Sequence, residues 1–303
     1  MSNKKVVYFG ADGASGYANA AKGYIYDLLQ NGHEVYFATL SGAPVKDDTE
    51  FYKYFHNNLK KLPVFSKKEK LSDSEVVIHF TPDIWNQVIE SHKDWIGNKK
   101  ITGRTVWDFD PLPDKWVKAI NDSIVNVVSV PSQWCKEVFV NSGIKKDIIV
   151  EPHTIPPVHY KRHSIVDLFE NARIFSPVPI NYQRFAKRVK FLNVSSLVSR
   201  KNTGFLIEAY LDSFAFDDET LLICKFTDNL NNVKTIEKHI QEIILKKIKN
   251  RDKDFAYAPI VVISERLSFD KIQSLHDDTD IYVNVSRGEG FNIPCYTAKT
   301  KNK

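Results

Sequence analysis

The chain has 303 residues, 43% hydrophobic and 12% aromatic, enough apolar material for two packed domains and an argument against disorder. Its net charge is +5, with Lys and Arg interspersed among Asp and Glu. The surface therefore reads as solvated and nucleic acid is not an expected partner; weak peripheral attraction to phosphates or an anionic membrane is the minority reading. Cys135, Cys224 and Cys295 form no Cys-x-x-Cys pair, which argues against a disulfide framework or a structural zinc site. Residues 1–5 hold no signal-peptide core, and no apolar run approaches the ~20 residues of a membrane span, so a cytoplasmic location is expected.

Residues 6–9 read as a strand. The tight loop Gly10-Ala11-Asp12-Gly13-Ala14-Ser15-Gly16 follows, then a helix over 17–31 capped by Gly32, then a strand over 34–40. Further strands are expected at 75–80, 102–107, 126–130 and 148–151. Helices lie between them, including 115–122 and 132–141, where Ser132 is a good N-cap. The stretch 152–188 is irregular and carries Pro156, Pro157, Pro177 and Pro179. Beyond it, strands fit 190–194, 221–226, 260–264 and 280–285, and helices fit 203–214, 233–249 and 268–276. Two successive alternating halves predict two doubly wound α/β domains, 1–176 and 177–303, with a cleft between them. In helix 233–249, Ile236, Ile240, Ile243, Ile244 and Ile248 share a face, and Lys246, Lys247, Lys249 and Arg251 lie at its end. That pattern fits a core helix with a wet basic end or a basic amphipathic membrane helix. Strands on both sides favour the core.

Ser286-Arg287-Gly288-Glu289-Gly290-Phe291-Asn292-Ile293-Pro294 follows the last strand. Gly288 and Gly290 flank a lone carboxylate and let backbone come close to a ligand. Pro294 suits the first turn of a helix whose free N–H groups face that ligand. A plainer reading makes Glu289 a carboxylate interacting with a helix dipole. At the other end of the chain, Gly10, Gly13 and Gly16 allow a nicotinamide reading. The second strand, however, ends Phe37-Ala38-Thr39-Leu40-Ser41, with no carboxylate until Asp47 to hold ribose hydroxyls. The alternative is a loop whose N–H groups approach a phosphate or an acceptor sugar. His79 ends an apolar strand and reads equally as a contact to a reacting sugar or as a satisfied structural histidine.

The stretch 286–294 resembles the Glu-Gly-Phe-Gly-Leu-Pro signature of family-four retaining nucleotide-sugar glycosyltransferases, which have the GT-B fold. The resemblance recurs in order. Ser15-Gly16-Tyr17 through Gly32-His33-Glu34-Val35 is similar to that family's opening. Thr105-Val106-Trp107-Asp108 is similar to a subgroup with Trp-Glu there, and Asp for Glu keeps the charge but shortens the reach. Val130-Pro131-Ser132, Glu151-Pro152-His153, Phe191 to Ser195, Arg200-Lys201-Asn202 and Leu206-Ile207-Glu208-Ala209-Tyr210 continue the series. The resemblance implies that Arg200 and Lys201 bind a leaving diphosphate, a task a basic pair performs without metal. No metal or other cofactor is expected. A solvated loop pair is the alternative. It also implies that Glu289 accepts hydrogen bonds from donor-sugar hydroxyls, with His79 and Asp108 as further catalytic candidates. Gly13, Gly16, Gly288, Gly290, Phe291, Asn292, Ile293 and Thr297 would line the donor.

Two departures stand out. Asn292 replaces a glycine, and Thr297 takes the place of a second carboxylate that grips the donor ribose. The chain also stops soon after Pro294, so an incomplete C-terminal domain is expected. The expected activity is transfer of a sugar from a nucleoside-diphosphate donor to a carbohydrate, lipid or protein hydroxyl, with retention of configuration. The rivals are a catalytically weak or inactive GT-B ligand-binding module, a nucleotide-sugar epimerase and a nicotinamide oxidoreductase.

Overall fold

The computed structural model describes residues 4–13, 15–42, 49–61, 71, 73–157, 159–179, 182–226, 230–249 and 256–303. Ala14, Asp47, Arg251 and the side chain of Ile236 lie outside the described residues. The chain forms two compact units, Met1–Val158 with Glu289–Ile293, and His159–Gly288 with Pro294–Lys303.

The first unit is built on β1 (Lys5–Ala11), β2 (Glu34–Ser41), β3 (Lys60–Lys61), β4 (Glu75–His79), β5 (Ile101–Arg104), β6 (Val127–Val130) and β7 (Asp147–Val150). All pair in parallel, in the order β3-β2-β1-β4-β5-β6-β7, the doubly wound arrangement. Side chains alternate between the faces. Val7 and Phe9 join Val76, Ile78, Trp85, Ile101 and Val128 on one side. Tyr8 joins Ala21, Ile25, Val35 and Phe55 on the other. Both faces are thus covered, as a parallel sheet requires. Helix Gly16–Gln30 opens at Ser15, whose hydroxyl accepts from the Ala18 N–H. It closes at Gly32, whose φ of 78° suits only glycine comfortably. There the His33 N–H reaches the Leu28 carbonyl and the Gly32 N–H reaches that of Leu29.

The second unit holds β8 (Arg173–Phe175), β9 (Val189–Ser195), β10 (Thr220–Phe226), β11 (Ile260–Ile263) and β12 (Ile281–Tyr282), ordered β12-β9-β10-β11-β8. Only β8 runs antiparallel. Leu222, Cys224 and Phe226 pack on one face and Leu221 and Ile223 on the other.

Three expectations are corrected here. The units divide between residues 158 and 159, not after 176. The segment Ile165–Leu168 packs Ile165 and Leu168 into the second unit's core, and β8 pairs with β11. The last strand is shorter than 280–285 because the Asn284 side chain accepts from the Ser286 N–H and hydroxyl and turns the chain. The five residues 289–293 belong to the first unit, not to the second.

Helix Leu230–Lys249 is a core helix. Ile240, Ile243 and Ile244 are buried in the second unit, whereas Leu245 is 57% exposed. Among the described residues no helix is long and apolar enough to cross a membrane. Ile240→Ala should lower the unfolding free energy by about 2–5 kcal/mol, and Leu245→Ala by no more than about 0.5 kcal/mol. Urea denaturation of both variants checks this, and equal losses would refute the assigned face.

Candidate functional site

Ligands of doubly wound sheets bind beyond the carboxyl ends of the strands. In the first unit that edge gathers polar side chains. His79 ends β4 and Arg104 ends β5. Ser129 is the register partner of Arg104 across β5 and β6, and the Glu151 N–H reaches the Val130 carbonyl just beyond β7. Arg104 Nη2 donates to Glu151 Oε2 at 2.6 Å, and the Ser129 hydroxyl donates to the same oxygen at 2.6 Å. The guanidinium lies 3.5 Å from the centre of the Tyr24 ring. Arg104 Nε is buried without a partner among the described residues.

His79 is 1% exposed and sits among the rings of Tyr8, Tyr17, Tyr24 and His153. Burial, then the charge of Arg104, pushes its pKa well below 6.5. The same causes bring His153 to about 3. Both rings are neutral at physiological pH. The Tyr17 hydroxyl lies 2.9 Å from Thr105 Oγ1, and burial raises its pKa to about 12.

The glycine loop after β1 is occupied from within. The Gly13 N–H donates to Asp12 Oδ1 at 2.7 Å, and its carbonyl accepts from Lys22 Nζ at 2.5 Å. Lys22 and Asp12 are 2% and 6% exposed and pair at 3.5 Å. The N–H of Gly13 is therefore committed inside the protein, contrary to the expectation that it approaches a ligand. Among the described residues nothing lies within 4 Å of where a Cβ on Gly16 would stand.

The segment 289–293 is seated by its backbone. The Gly290 N–H donates to Asp108 Oδ1 at 2.9 Å, and its carbonyl accepts from the Ser132 hydroxyl at 2.8 Å. A Cβ there would meet the Trp107 carbonyl at 2.2 Å. The glycine is required by close approach to protein backbone, not only to a ligand. Asn292 Nδ2 donates to Glu289 Oε1 at 3.2 Å. Phe291 packs edge-on against His153, with ring centres 4.7 Å apart, and Ile293 packs against the cluster that holds Tyr8 and Tyr24. Asp108 thus anchors the signature segment.

In the second unit, Arg200 and Lys201 form a short 3-10 turn after β9. Arg200 Nη1 donates to the Gly288 carbonyl at 2.7 Å, and the Arg287 N–H donates to the Arg200 carbonyl at 2.9 Å. Helix Thr203–Ser213 begins at once, after Asn202 at φ 56°. Beside this turn lies a cavity of about 380 Å³ bordered by Val198, Ser199, Asn202, Thr203, Phe205 and His239. Among the described residues its buried Thr203 hydroxyl has no partner. Thr297 is buried on helix Ile293–Thr300.

The structure therefore places His79, Asp108, Gly13, Gly16, Glu289, Gly290, Phe291, Asn292 and Ile293 in the first unit, and Arg200, Lys201, Gly288 and Thr297 in the second. Sequence reasoning missed Arg104, Glu151 and Lys22 as site-building residues. A signal existed for Lys22, a lone cation on the face shared by Ala18 and Ile25. Among the described residues no group of three or more His, Cys, Asp or Glu side chains could hold a metal ion.

No family model matches the chain, and no curated protein matches its sequence. Solved structures do. A trehalose-6-phosphate structure from E. coli bound with UDP-2-fluoro glucose superposes with TM-score 0.59 at 12% identity, over 97% of this chain and 81% of that one. An alpha,alpha-trehalose-phosphate synthase (UDP-forming) from Burkholderia xenovorans in complex with glucose-6-phosphate gives 0.59 at 12%, over 98% and 82%. The N-terminal domain of Candida albicans trehalose-6-phosphate phosphatase gives 0.59 at 10%, over 98% and 80%. At such identities the likeness shows the fold, which is GT-B, with two Rossmann-like α/β units.

Two outcomes are expected. Gly290→Ala should destabilise the first unit by about 1–3 kcal/mol through overpacking, while Gly16→Ala, with open space, should change stability by less than about 1 kcal/mol. Equal denaturation midpoints for the two variants would refute the close approach. Acid should also destabilise the fold. His153 and His276 titrate near 3 and 4 when folded, chiefly because of burial, and near 6.5 when unfolded. Between those values the unfolded chain binds protons that the folded chain does not. Stability is therefore full above about pH 6.5 and falls with pH below it, by up to ~1.4 kcal/mol per unit for each histidine. Urea midpoints across this window should show the slope, and His276→Gln should flatten it.

Proposed function

We propose that the chain is a glycosyltransferase of the family-four type. It moves a sugar from a nucleoside-diphosphate donor to a hydroxyl acceptor with retention of configuration. The observation that carries the reading is the bond from Arg200 to the Gly288 carbonyl, across 88 residues of sequence. It makes the basic turn and the glycine-rich signature, recognised separately along the chain, structural neighbours. The ligands of two fold relatives, UDP-2-fluoro glucose and glucose-6-phosphate, support the same substrate class.

Each residue has a defined chemical task. The donor leaves as a nucleoside diphosphate, so negative charge grows on the phosphate oxygen as the glycosidic bond breaks. Arg200 and Lys201 meet that charge, the first with a planar fork and the second with a mobile ammonium. Glu289, oriented by Asn292, accepts hydrogen bonds from sugar hydroxyls. His79, held neutral, offers a hydrogen bond without a competing charge. Asp108 acts by holding the Gly290 N–H and thus the signature segment.

A panel of UDP- and GDP-sugars, assayed for release of UDP or GDP and for the anomeric configuration of the product, tests the reading. At least one donor should be consumed with retention. Binding without turnover across the panel would mark a ligand-binding module, and neither binding nor turnover would end the proposal. Arg200→Ala and Lys201→Ala should each lower turnover by about tenfold to a hundredfold, the worth of a charge-assisted hydrogen bond of roughly 1.5–3 kcal/mol. Unchanged turnover in both would make the turn a solvated loop. Donor affinity should be the same with and without EDTA, since the basic pair supplies the positive charge. A loss beyond about tenfold on chelation would restore a metal to the mechanism.

A further inference from the structure

The cavity beside the basic turn lies within the second unit. Helix Thr203–Ser213 opens onto it uncapped. Asn202, at the helix head, makes no side-chain cap, and the first bond of the helix runs from the Leu206 N–H to the Asn202 carbonyl. The N–H groups of Thr203, Gly204 and Phe205 are therefore without an acceptor among the described residues. Thr203 borders the cavity and is 6% exposed, and its hydroxyl has no partner among them either. Buried polar groups are normally hydrogen-bonded, so a desolvated hydroxyl of this kind asks for a partner from outside the chain. Ser199 adds a second hydroxyl. His239 closes the far side, where a Cβ on Gly204 would stand 3.1 Å from its Nε2. None of the described residues that border the cavity is acidic, and Arg200 and Lys201 stand in the turn beside it.

We propose that this cavity is a second anion site, apart from the donor crevice, and that it takes a phosphoryl group, free or as a phosphomonoester. Ligands of an open α/β sheet bind where the strand order reverses. In the second sheet that place lies between β12 and β9, and Arg200 reaches toward it, to the Gly288 carbonyl beyond β12. The cavity lies on the other flank of the same turn, against helix Leu230–Lys249, which follows β10. Free N–H groups at a helix head, two hydroxyls and the helix dipole together suit a tetrahedral anion that only accepts. At about 380 Å³ the cavity exceeds a bare phosphate. Val198 and Phe205, 48% and 57% exposed, give an apolar wall for the rest of an ester. The site does not depend on the sugar transfer proposed above.

Nitrogen-15 NMR of the full chain labelled at glycine tests the site. Gly204→Ala and Gly288→Ala identify two of the 12 glycine signals, one at the cavity and one at the donor crevice. Inorganic phosphate, ribose-5-phosphate and ribose are titrated at constant ionic strength. The two phosphates should shift Gly204 saturably, and ribose should not. Tighter binding of ribose-5-phosphate assigns the site to an ester, and tighter binding of inorganic phosphate assigns it to the free ion. Thr203→Val keeps the shape and removes the hydroxyl. It should weaken the Gly204 titration about tenfold or more, the worth of one hydrogen bond to a charged group. Ser199→Ala, at an exposed position, is read in the same way if Thr203→Val fails to fold. Saturating UDP should leave the Gly204 titration unchanged. No saturable shift at Gly204, a shift at Gly288 alone, unchanged affinity in the variants, or competition with UDP overturns the proposal.

Discussion

The buried guanidinium of Arg104 organises the first unit's polar edge. Taking such a charge out of water costs several kcal/mol unless it is paired and hydrogen-bonded. Strand register supplies the partners. Arg104 lies opposite Ser129 on the neighbouring strand, and the next strand ends where Glu151 turns back toward Val130. The carboxylate is shared by Arg104 and Ser129, and the flat face of the cation covers Tyr24. Burial, and after it this charge, keeps His79 and His153 neutral. A sheet with a shifted register would bury the charge without its counter-ion.

The signature segment depends on a second constraint, the space allowed to its backbone. Gly290 is close enough to the Trp107 carbonyl that no side chain fits, and both of its polar backbone groups are satisfied, by Asp108 and Ser132. Glu289 and Asn292 are held on either side of this anchor and bonded to each other. In the second unit the corresponding constraint is the Arg200 fork on the Gly288 carbonyl, which fixes one arm of a mobile cation and leaves the turn at the head of a helix. In both places a backbone carbonyl or N–H sets the position of a charged side chain.

Much of the fold was legible along the chain because its signals are local. Period-two runs such as Val6 to Phe9 and Leu221 to Phe226, glycine after helix Gly16–Gln30 and Ser132 before helix Gln133–Asn141 each rest on near neighbours. The domain boundary was less legible, because Ile165, Leu168 and β8 reveal their allegiance only by what they pack against. The glycine loop after β1 was read as open to a ligand. Its Gly13 is instead satisfied by Asp12 and Lys22, a pair that looks like ordinary surface charge until the helix and loop are in place.

Composition and spacing alone determined an α/β chain in two halves, the glycine-flanked Glu289 and the terminal histidine of β4, while the Arg200-Lys201 pair stood out through the family resemblance. They did so because propensity, capping and alternation act over a few residues. Only tertiary structure decided that residues 289–293 pack with the first unit, that Asp108 holds a backbone N–H, that Arg104 and His153 lie beside His79, and that Glu151 pairs with Arg104. Those relations join residues tens to hundreds of positions apart, and they arise from strand order and register. No local pattern encodes such contacts, because the physical cause is the shared carboxyl edge of one sheet.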